Sequence, residues 1–390
     1  MTPSRFRILT KQLADARGAR HGTVVTIEDG RITELTPWTP DTKPEPNDIE
    51  AQDALLVPGF IDIHIHGGAG RYLMEGTAES LQVVAHHLAK HGATGFLSTT
   101  ITAPWSEQAQ ALAVAAQAMH SPDNGQEGAQ VLGCHLEGPY INPVKKGAQP
   151  AQFIRPPSIE ELVRETGENL HAVKVVTLAP EMDGALPLIR WMAQQNIIAS
   201  IGHTNATYTQ ICAAIDAGAR HVTHCYNAMR PLDSREPGVV GATMAHPELT
   251  AELIWDNHHV HPASCRALIQ AKGADKVILI SDGIPGTSMP EGYIFHLGGL
   301  PINVKDGTAR LPDGTLAGSL LTLEVAFQNA EVFNLAQRSA MTSRNAAVAL
   351  GLGGTKGLIS PGYDADLVLL NPNGDVQKTF VAGRCVYSAP

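Results

Sequence analysis

Eight short apolar segments, each followed by a stretch with helical periodicity, recur along residues 59–283, and this alternation leaves few folds open. They are GFIDIHIH (59–66), GFLSTTIT (95–102), VLGCHLEG (131–138), AVKVVTLA (172–179), IIASIGH (197–203), HVTHCYN (221–227), AELIWDN (251–257) and VILISDG (277–283). Stretches between them, such as AESLQVVAHHLAKHG and ATYTQICAAIDAG, place apolar residues at i, i+3 and i+4 and end in glycine, a helix C-terminal signal. Strands alternating with helices predict parallel βα units, and eight is the number that closes a (β/α)8 TIM barrel, an α/β fold.

The two ends of the chain read differently. GTVVTIEDGRITELTP alternates apolar and polar residues around Glu28-Asp29-Gly30, a hairpin signal. DADLVLLNPNGDVQKTFVAGRCVYS holds two or three further strands, with turns at Asn373-Gly374 and Ala382-Gly383. Residues 1–57 and 357–390 are therefore expected to combine into one small β-sandwich domain flanking a barrel of residues 58–356, with Pro58-Gly59 and Gly357 at the borders. Residues 284–318, with Gly298-Gly299, Asp306-Gly307 and Asp313-Gly314, predict a β-hairpin excursion after strand eight, lying over the mouth of the barrel.

Composition narrows the function. A formal charge of −10, from 28 Lys+Arg against 38 Asp+Glu, lacks the basic field that nucleic acid or anionic lipid demands. A phosphate-bearing substrate would have to be met by local cations. MTPSRFRILTKQLADARGAR has no signal-like apolar core, and no run of about 18 apolar residues occurs, so a cytoplasmic protein without a membrane partner is expected. Cys134, Cys212, Cys225, Cys265 and Cys385 are odd in number and scattered, which suits packing residues better than disulfides.

Five of the strand-like segments carry a residue able to bind a metal or move a proton near their ends: His64 and His66, Glu137, His203, His224 and Asp282. Side chains alternate along a strand, so Asp62, His64 and His66 share a face, as do His135 and Glu137, and as do Val222 and His224. In a closed barrel that face points inward, and the C-terminal strand ends form the mouth where such barrels place their active sites. Imidazole and carboxylate ligands suit zinc, iron(II), manganese or cobalt, and an open coordination position lowers the pKa of water toward about 7. A free carboxylate such as Asp282 then serves as general base and acid. The implied chemistry is metal-assisted attack of water on a polarised electrophile. Blander readings compete: His64 and His66 as satisfied polar residues, Asp282 as a helix N-cap, Arg235 as a solvated loop residue, and His86, His87 and His91 as the surface of a barrel helix.

VPGFIDIHIHG, HLEGPYINPVKKGAQP, LAPE, IGHTNAT, THCYNAM, REPG and ISDG together resemble the N-acetylglucosamine-6-phosphate deacetylases of the amidohydrolase superfamily, most strongly over residues 55–350. The resemblance implies that Glu137, His203 and His224 are primary metal ligands and Asp282 the catalytic acid/base. Glu137 would replace the carboxylated lysine of other branches, since Lys174 lies at the wrong end of strand four. His64 and His66, with Glu137, would hold a second divalent ion, giving one or two ions per subunit with zinc the first choice. Asn227 and Ala228 match sugar- and phosphate-binding positions, and His259 of NHHVHP matches a substrate contact beside His258 and His261. Arg235 matches a phosphate-binding arginine contributed across a homodimer interface. Gln149 stands where a histidine is common, and its amide can donate to the acyl oxygen in that histidine's place. Arg71, Tyr72 and Glu181 receive no role.

The implied reaction is hydrolysis of the acetamide of N-acetylglucosamine 6-phosphate to acetate and glucosamine 6-phosphate. The rivals are the galacto epimer as substrate, a cyclic amide as substrate, against which Glu137 and Arg235 speak, and an inactive scaffold, against which the retained ligands speak.

Overall fold

Phe60–Ile65, Ala93–Thr100, Gln130–Glu137, Val173–Leu178, Ile198–Ile201, His221–Val222, Thr250–Leu253 and Val277–Leu279 form one parallel eight-stranded sheet in chain order. Every strand overlaps a segment marked by the apolar runs. Such runs are apolar on both faces because a parallel sheet is covered on both. In the computed structural model, which describes residues 5–297 and 299–390, the first and last strands also meet. His66 N–H donates to Gly283 O at 2.8 Å, and Asp282 N–H donates to His64 O at 2.9 Å. The sheet is thereby a nearly closed barrel. Residues 1–4 of the expected β-domain, and Gly298 of the expected excursion, lie outside the described residues.

A helix follows each barrel strand. Tyr208–Ala217 shows why such a segment folds: Thr207 and Gln210 form a reciprocal capping box at its start, and Gly218 ends it at φ 119°. The helix Ala78–Lys90 corrects one expectation. His86 is exposed, but His87 is buried and His91 half-buried. His87 packs so closely on Gly68 that a Cβ there would lie 2.5 Å from its ring. Burial pushes the His87 imidazole down to about 3, so it stays neutral. His91 pairs with Glu324 across to the helix after strand eight.

The termini interleave in a seven-stranded sheet, in the order Arg384–Ser388, Val376–Val381, Leu367–Leu370, Ile49–Pro58, Arg5–Asp15, Gly18–Glu28, Arg31–Pro37. Asp29 at φ 47° and Gly30 at φ 80° make the tight turn expected between the last two strands of that order. Arg5–Asp15 and Val376–Val381 are three strands apart, roughly 14 Å in a flat sheet. Yet the rings of Phe6 and Phe380 stack at 5.9 Å between centroids. The sheet therefore curls over its own face and encloses a core that includes Ile8, Val25, Ile27, Leu56 and Leu367.

After strand eight, Ile294–Leu297, Leu300–Lys305 and Thr308–Arg310 form a small antiparallel sheet. Its apolar side, Phe295, Ile302 and Val304, packs with Ile284 and Ile101 beyond strands eight and two. The excursion thus sits at the mouth, as its position in the sequence suggested. No helix among the described residues is long and apolar enough to cross a membrane.

Lys356 ties the two sheets together. Its Nζ donates to Gln130 Oε1 at 2.7 Å at the start of barrel strand three and to Asp366 Oδ2 at 2.5 Å beside the terminal sheet, and lies 3.1 Å from Asp364 Oδ2. Burial works against the ammonium, but the two aspartates raise its pKa. Lys356→Met removes the cation from a buried pair and is expected to cost about 3 kcal/mol. A clear fall in the thermal midpoint is the expected readout, and an unchanged midpoint would show that the pair is dispensable.

Candidate metal centre

Three strand ends deliver Glu137, His203 and His224 to one point. Glu137 Oε1 lies 3.0 Å from His203 Nε2 and 2.9 Å from His224 Nε2, and the two Nε2 atoms lie 3.2 Å apart. All three side chains are buried. His203 sits at φ 47°, His224 at φ 25° and Asp282 at φ 49°, backbone that non-glycine residues seldom adopt. The ladder is abandoned at these residues: regular strand six is only His221–Val222. Strain of this kind persists where the surroundings over-determine it, commonly at functional sites.

The first-strand pair joins the same cluster. His64 Nε2 is 3.4 Å from Glu137 Oε1 and 3.5 Å from Asp282 Oδ1, while His66 Nε2 is 3.4 Å from Glu137 Oε2 and 3.2 Å from Asp282 Oδ1. Glu137 Oε1 is therefore approached by His64, His203 and His224, and Oε2 by His66. Asp62 does not join them, contrary to simple alternation. Its Oδ1 accepts the N–H groups of His64 and Ser281, each at 3.3 Å, and the pairing with strand two is irregular between Asp62 and Ile65. Burial pushes the Asp62 carboxyl up to about 6. Lys174 is at the opposite end, as expected, with Nζ donating to His171 O at 2.9 Å.

Neighbours fix which ring atom faces the cluster. His203 Nδ1 donates to Lys145 O at 2.9 Å, so its Nε2 is the free ligand atom. His64 Nδ1 donates to Glu252 Oε2 at 2.8 Å, leaving Nε2 directed at two carboxylates. Glu252 is fully buried, accepts the His224 N–H at 3.1 Å, and has His221 Nε2 3.1 Å from its other oxygen. Sequence reasoning missed it, although a lone carboxylate inside the apolar run AELIW was a signal. Glu181 accepts from Asn142 Nδ2 at 2.8 Å and from the Asn205 N–H at 2.6 Å, which pins the chain just after His203 to Asn142, whose own N–H donates to His203 O at 2.9 Å. Gln149 Oε1 accepts the Thr102 N–H at 2.6 Å, so its amide nitrogen is turned to Glu137 Oε2, also at 2.6 Å.

Electrostatics and donor chemistry fit a cation. Burial alone would push Glu137 up, but His203 and His64 hold it well below the usual carboxylate range. Burial would lower His64 and His66, but Glu252 and Glu137 raise the first, and Asp282 and Glu137 raise the second to about 9. Positive charge is thus drawn into the cluster by its carboxylates. His64 Nε2, directed at Glu137 and Asp282, is buried without a hydrogen-bond partner, a costly state for a polar atom. Imidazole nitrogens and carboxylate oxygens crowded this closely form a ligand set for zinc or a similar divalent ion.

A cavity of about 430 Å³ opens over the cluster. Asn227, Ala228, His259 and Gln149 line it, together with His66, Glu137, His203, His224 and Asp282. His258 and His261 do not: His258 is exposed, and His261 caps the helix Pro262–Lys272. Asp256 Oδ2 holds His259 Nδ1 at 2.6 Å. Arg235 lies on an exposed loop, away from the cavity of its own chain. Arg71 is paired with Glu75 and Glu79, and Tyr72 has a buried hydroxyl without a partner. All five cysteines are free.

The chain is 39% identical over 367 residues to N-acetylglucosamine-6-phosphate deacetylase of Bacillus subtilis (strain 168), covering 93% of this chain and 92% of that one. It is 40% identical over 362 residues to N-acetylgalactosamine-6-phosphate deacetylase of Escherichia coli O157:H7, covering 92% and 93%. A mutant N-acetyl-D-glucosamine-6-phosphate deacetylase from Mycobacterium smegmatis, solved in complex with N-acetyl-D-glucosamine-6-phosphate, superposes with a TM-score of 0.92 at 31% identity, covering 99% of this chain and 100% of that one. The model of the amidohydrolase family matches residues 55–386. The chain belongs to the amidohydrolase family.

Proposed function

We propose that this protein hydrolyses the acetamide of N-acetylglucosamine 6-phosphate, releasing acetate and glucosamine 6-phosphate. The observation that carries the reading is the convergence of Glu137, His203 and His224 beside Asp282 under a substrate-sized cavity. Deacetylases of this substrate align over more than nine-tenths of the chain. The galacto epimer is a second reading, because the E. coli relative that acts on it is equally similar. The ratio of kcat/KM on the two sugar phosphates decides between them.

Glu137, His203 and His224 would hold the principal divalent ion, with zinc the first choice, and His64 and His66 a second one shared with Glu137. The ion supplies Lewis-acid polarisation of the amide carbonyl and acidifies water. The chain supplies the proton transfers. Hydrogen bonding from His66 and the charge of His64 lower the pKa of Asp282 despite burial, so it is a carboxylate at neutral pH. It takes a proton from the attacking water and returns it to the departing amine. Gln149 spends one N–H on Glu137 and keeps the other for the acyl oxygen. His259, held through Nδ1 by Asp256, presents Nε2 to the substrate, and Asn227 Nδ2, buried without a partner, is a donor for it as well. Glu252 positions His64 and so shapes the second ion position.

Residues 1–57 and 357–390 are taken as one β-sandwich domain on a catalytic barrel of residues 58–356, and the working assembly as a homodimer in which Arg235 reaches the neighbouring subunit. Five free cysteines suit a reducing cytoplasm.

Three outcomes are expected. Asp282→Asn lowers turnover by roughly 10²- to 10⁴-fold while the divalent-metal content stays at the wild-type level; near-native turnover would remove its acid/base role. Prolonged chelation abolishes activity and added zinc restores it, whereas full activity in the metal-free protein would end the proposal. Glu252→Leu weakens ion binding at the His64/His66 position by roughly 10- to 100-fold in an equilibrium titration, with Glu252→Gln closer to wild type. Equal affinities in all three proteins would show that Glu252 positions nothing.

A further inference from the structure

We propose that His120 and His171 form a separate surface site for a divalent transition-metal ion, on the end of the barrel opposite the mouth. Their Nε2 atoms lie 3.0 Å apart. Two metal-imidazole bonds of about 2.0–2.1 Å that meet at about 90–109° hold their nitrogens about 2.9–3.4 Å apart. His203 Nε2 and His224 Nε2, in the cluster at the mouth, are spaced alike at 3.2 Å. The two exposed rings are thus already at ligand spacing. Their place in the fold is far from the cavity. His120 ends the helix Trp105–Met119, which follows barrel strand two, and His171 lies in the 3-10 segment Gly167–Ala172 that leads into strand four. Both therefore stand at strand starts, where Lys174 also lies, and not at the strand ends that carry Glu137 and Asp282.

Hydrogen bonding selects the ring atom that would bind. His171 Nδ1 donates to Glu168 O at 2.7 Å, which keeps its ring proton there and leaves Nε2 as a lone pair. Lys145 O frees His203 Nε2 by the same device. His120 makes no hydrogen bond other than that to His171 among the described residues. Its ring proton can therefore sit on Nδ1, facing water, when an ion takes Nε2. An N–H···N bond between the rings is the ion-free state, and it gives way without stranding a buried polar atom. The Lys174 ammonium is turned to the main-chain oxygen of His171 rather than to either ring.

The surroundings favour a cation. His120 is the C-cap of a 15-residue helix whose last turn carries no basic residue, so the negative end of the helix dipole is unopposed there. Glu168, beside His171, is exposed and has no ion pair among the described residues. Imidazole suits zinc, nickel and copper, and water would complete the coordination around two protein ligands. Copper(II) stands highest in the affinity order of these ions and is the sharpest probe. An ion held here would clip the end of the helix Trp105–Met119 to the chain entering strand four. That is a contribution to stability, the part this end of a barrel usually plays.

The test titrates copper(II) into the zinc-loaded full chain at neutral pH, in wild type, His120→Gln and His171→Gln. Wild type is expected to bind one equivalent more than either variant. The electron paramagnetic resonance signal of that extra equivalent, taken as the difference between wild type and variant, should show coupling to two imidazole nitrogens. The same ion should raise the thermal midpoint of wild type by more than that of either variant, because it binds only the folded chain at this place. Equal copper binding by the three proteins, whether at the mouth or nowhere, would overturn the proposal. A difference signal with a single nitrogen would overturn it as well, since one ring would then act alone. Equal midpoint shifts would remove the clip between the helix and strand four. None of these readouts depends on the reaction at the mouth, so the site stands or falls apart from it.

Discussion

Glu137 is the constraint around which the rest of the structure is arranged. A buried carboxylate is costly unless positive charge and hydrogen bonds surround it, and here four imidazoles approach its two oxygens within 3.4 Å. Those rings must present lone pairs to one another and to a carboxylate, which is tolerable only with protons or a cation between them. Their orientation is not left free. Lys145 O, Glu252 and the amide of Gln149 fix which atoms face inward, and Glu181 steadies the backbone around His203. In the reaction proposed above, metal affinity, proton transfer at Asp282 and the position of the acyl group would all follow from that one arrangement.

The barrel makes the arrangement affordable. Its apolar strands bury Ile63, Val175, Ile201 and Leu279, among others, and so anchor the strand ends from below. Above them the ladder gives way, and His203, His224 and Asp282 take up left-handed backbone that a regular strand would forbid. Local irregularity at the rim is stabilised by regularity beneath it. The same division explains the excursion after strand eight, which has its own apolar patch and needs only to rest on Ile284 and Ile101 to reach across the mouth.

Most of this was legible in the sequence, for identifiable reasons. Strand position follows from apolar runs such as VKVV and VILI, and the clustering of His64, His66, Glu137, His203, His224 and Asp282 from imidazoles and carboxylates at their ends, because both signals are local. What escaped depends on partners distant along the chain. Glu252 looked like one polar residue in a strand, and only the fold shows it between His64 and His221. Alternation assigned Asp62 to the inward face, and an irregular register beside it broke that rule. His87 resembled a surface histidine because the close approach of Gly68 has no signature of its own. Arg310 sits in a turn-rich segment where neither periodicity nor spacing marks it, and only the fold shows it lining the cavity. The curled terminal sheet is a similar case: alternation identifies its strands, but not the contact between Phe6 and Phe380.

The most direct test is a crystal of the zinc-loaded protein, with diffraction collected on both sides of the zinc absorption edge. The account requires an anomalous peak bonded jointly to Glu137 Oε1, His203 Nε2 and His224 Nε2, with an open side facing Asp282 and the cavity. A zinc-saturated crystal with no peak among those three atoms, or with the three side chains turned away from one another, would contradict it.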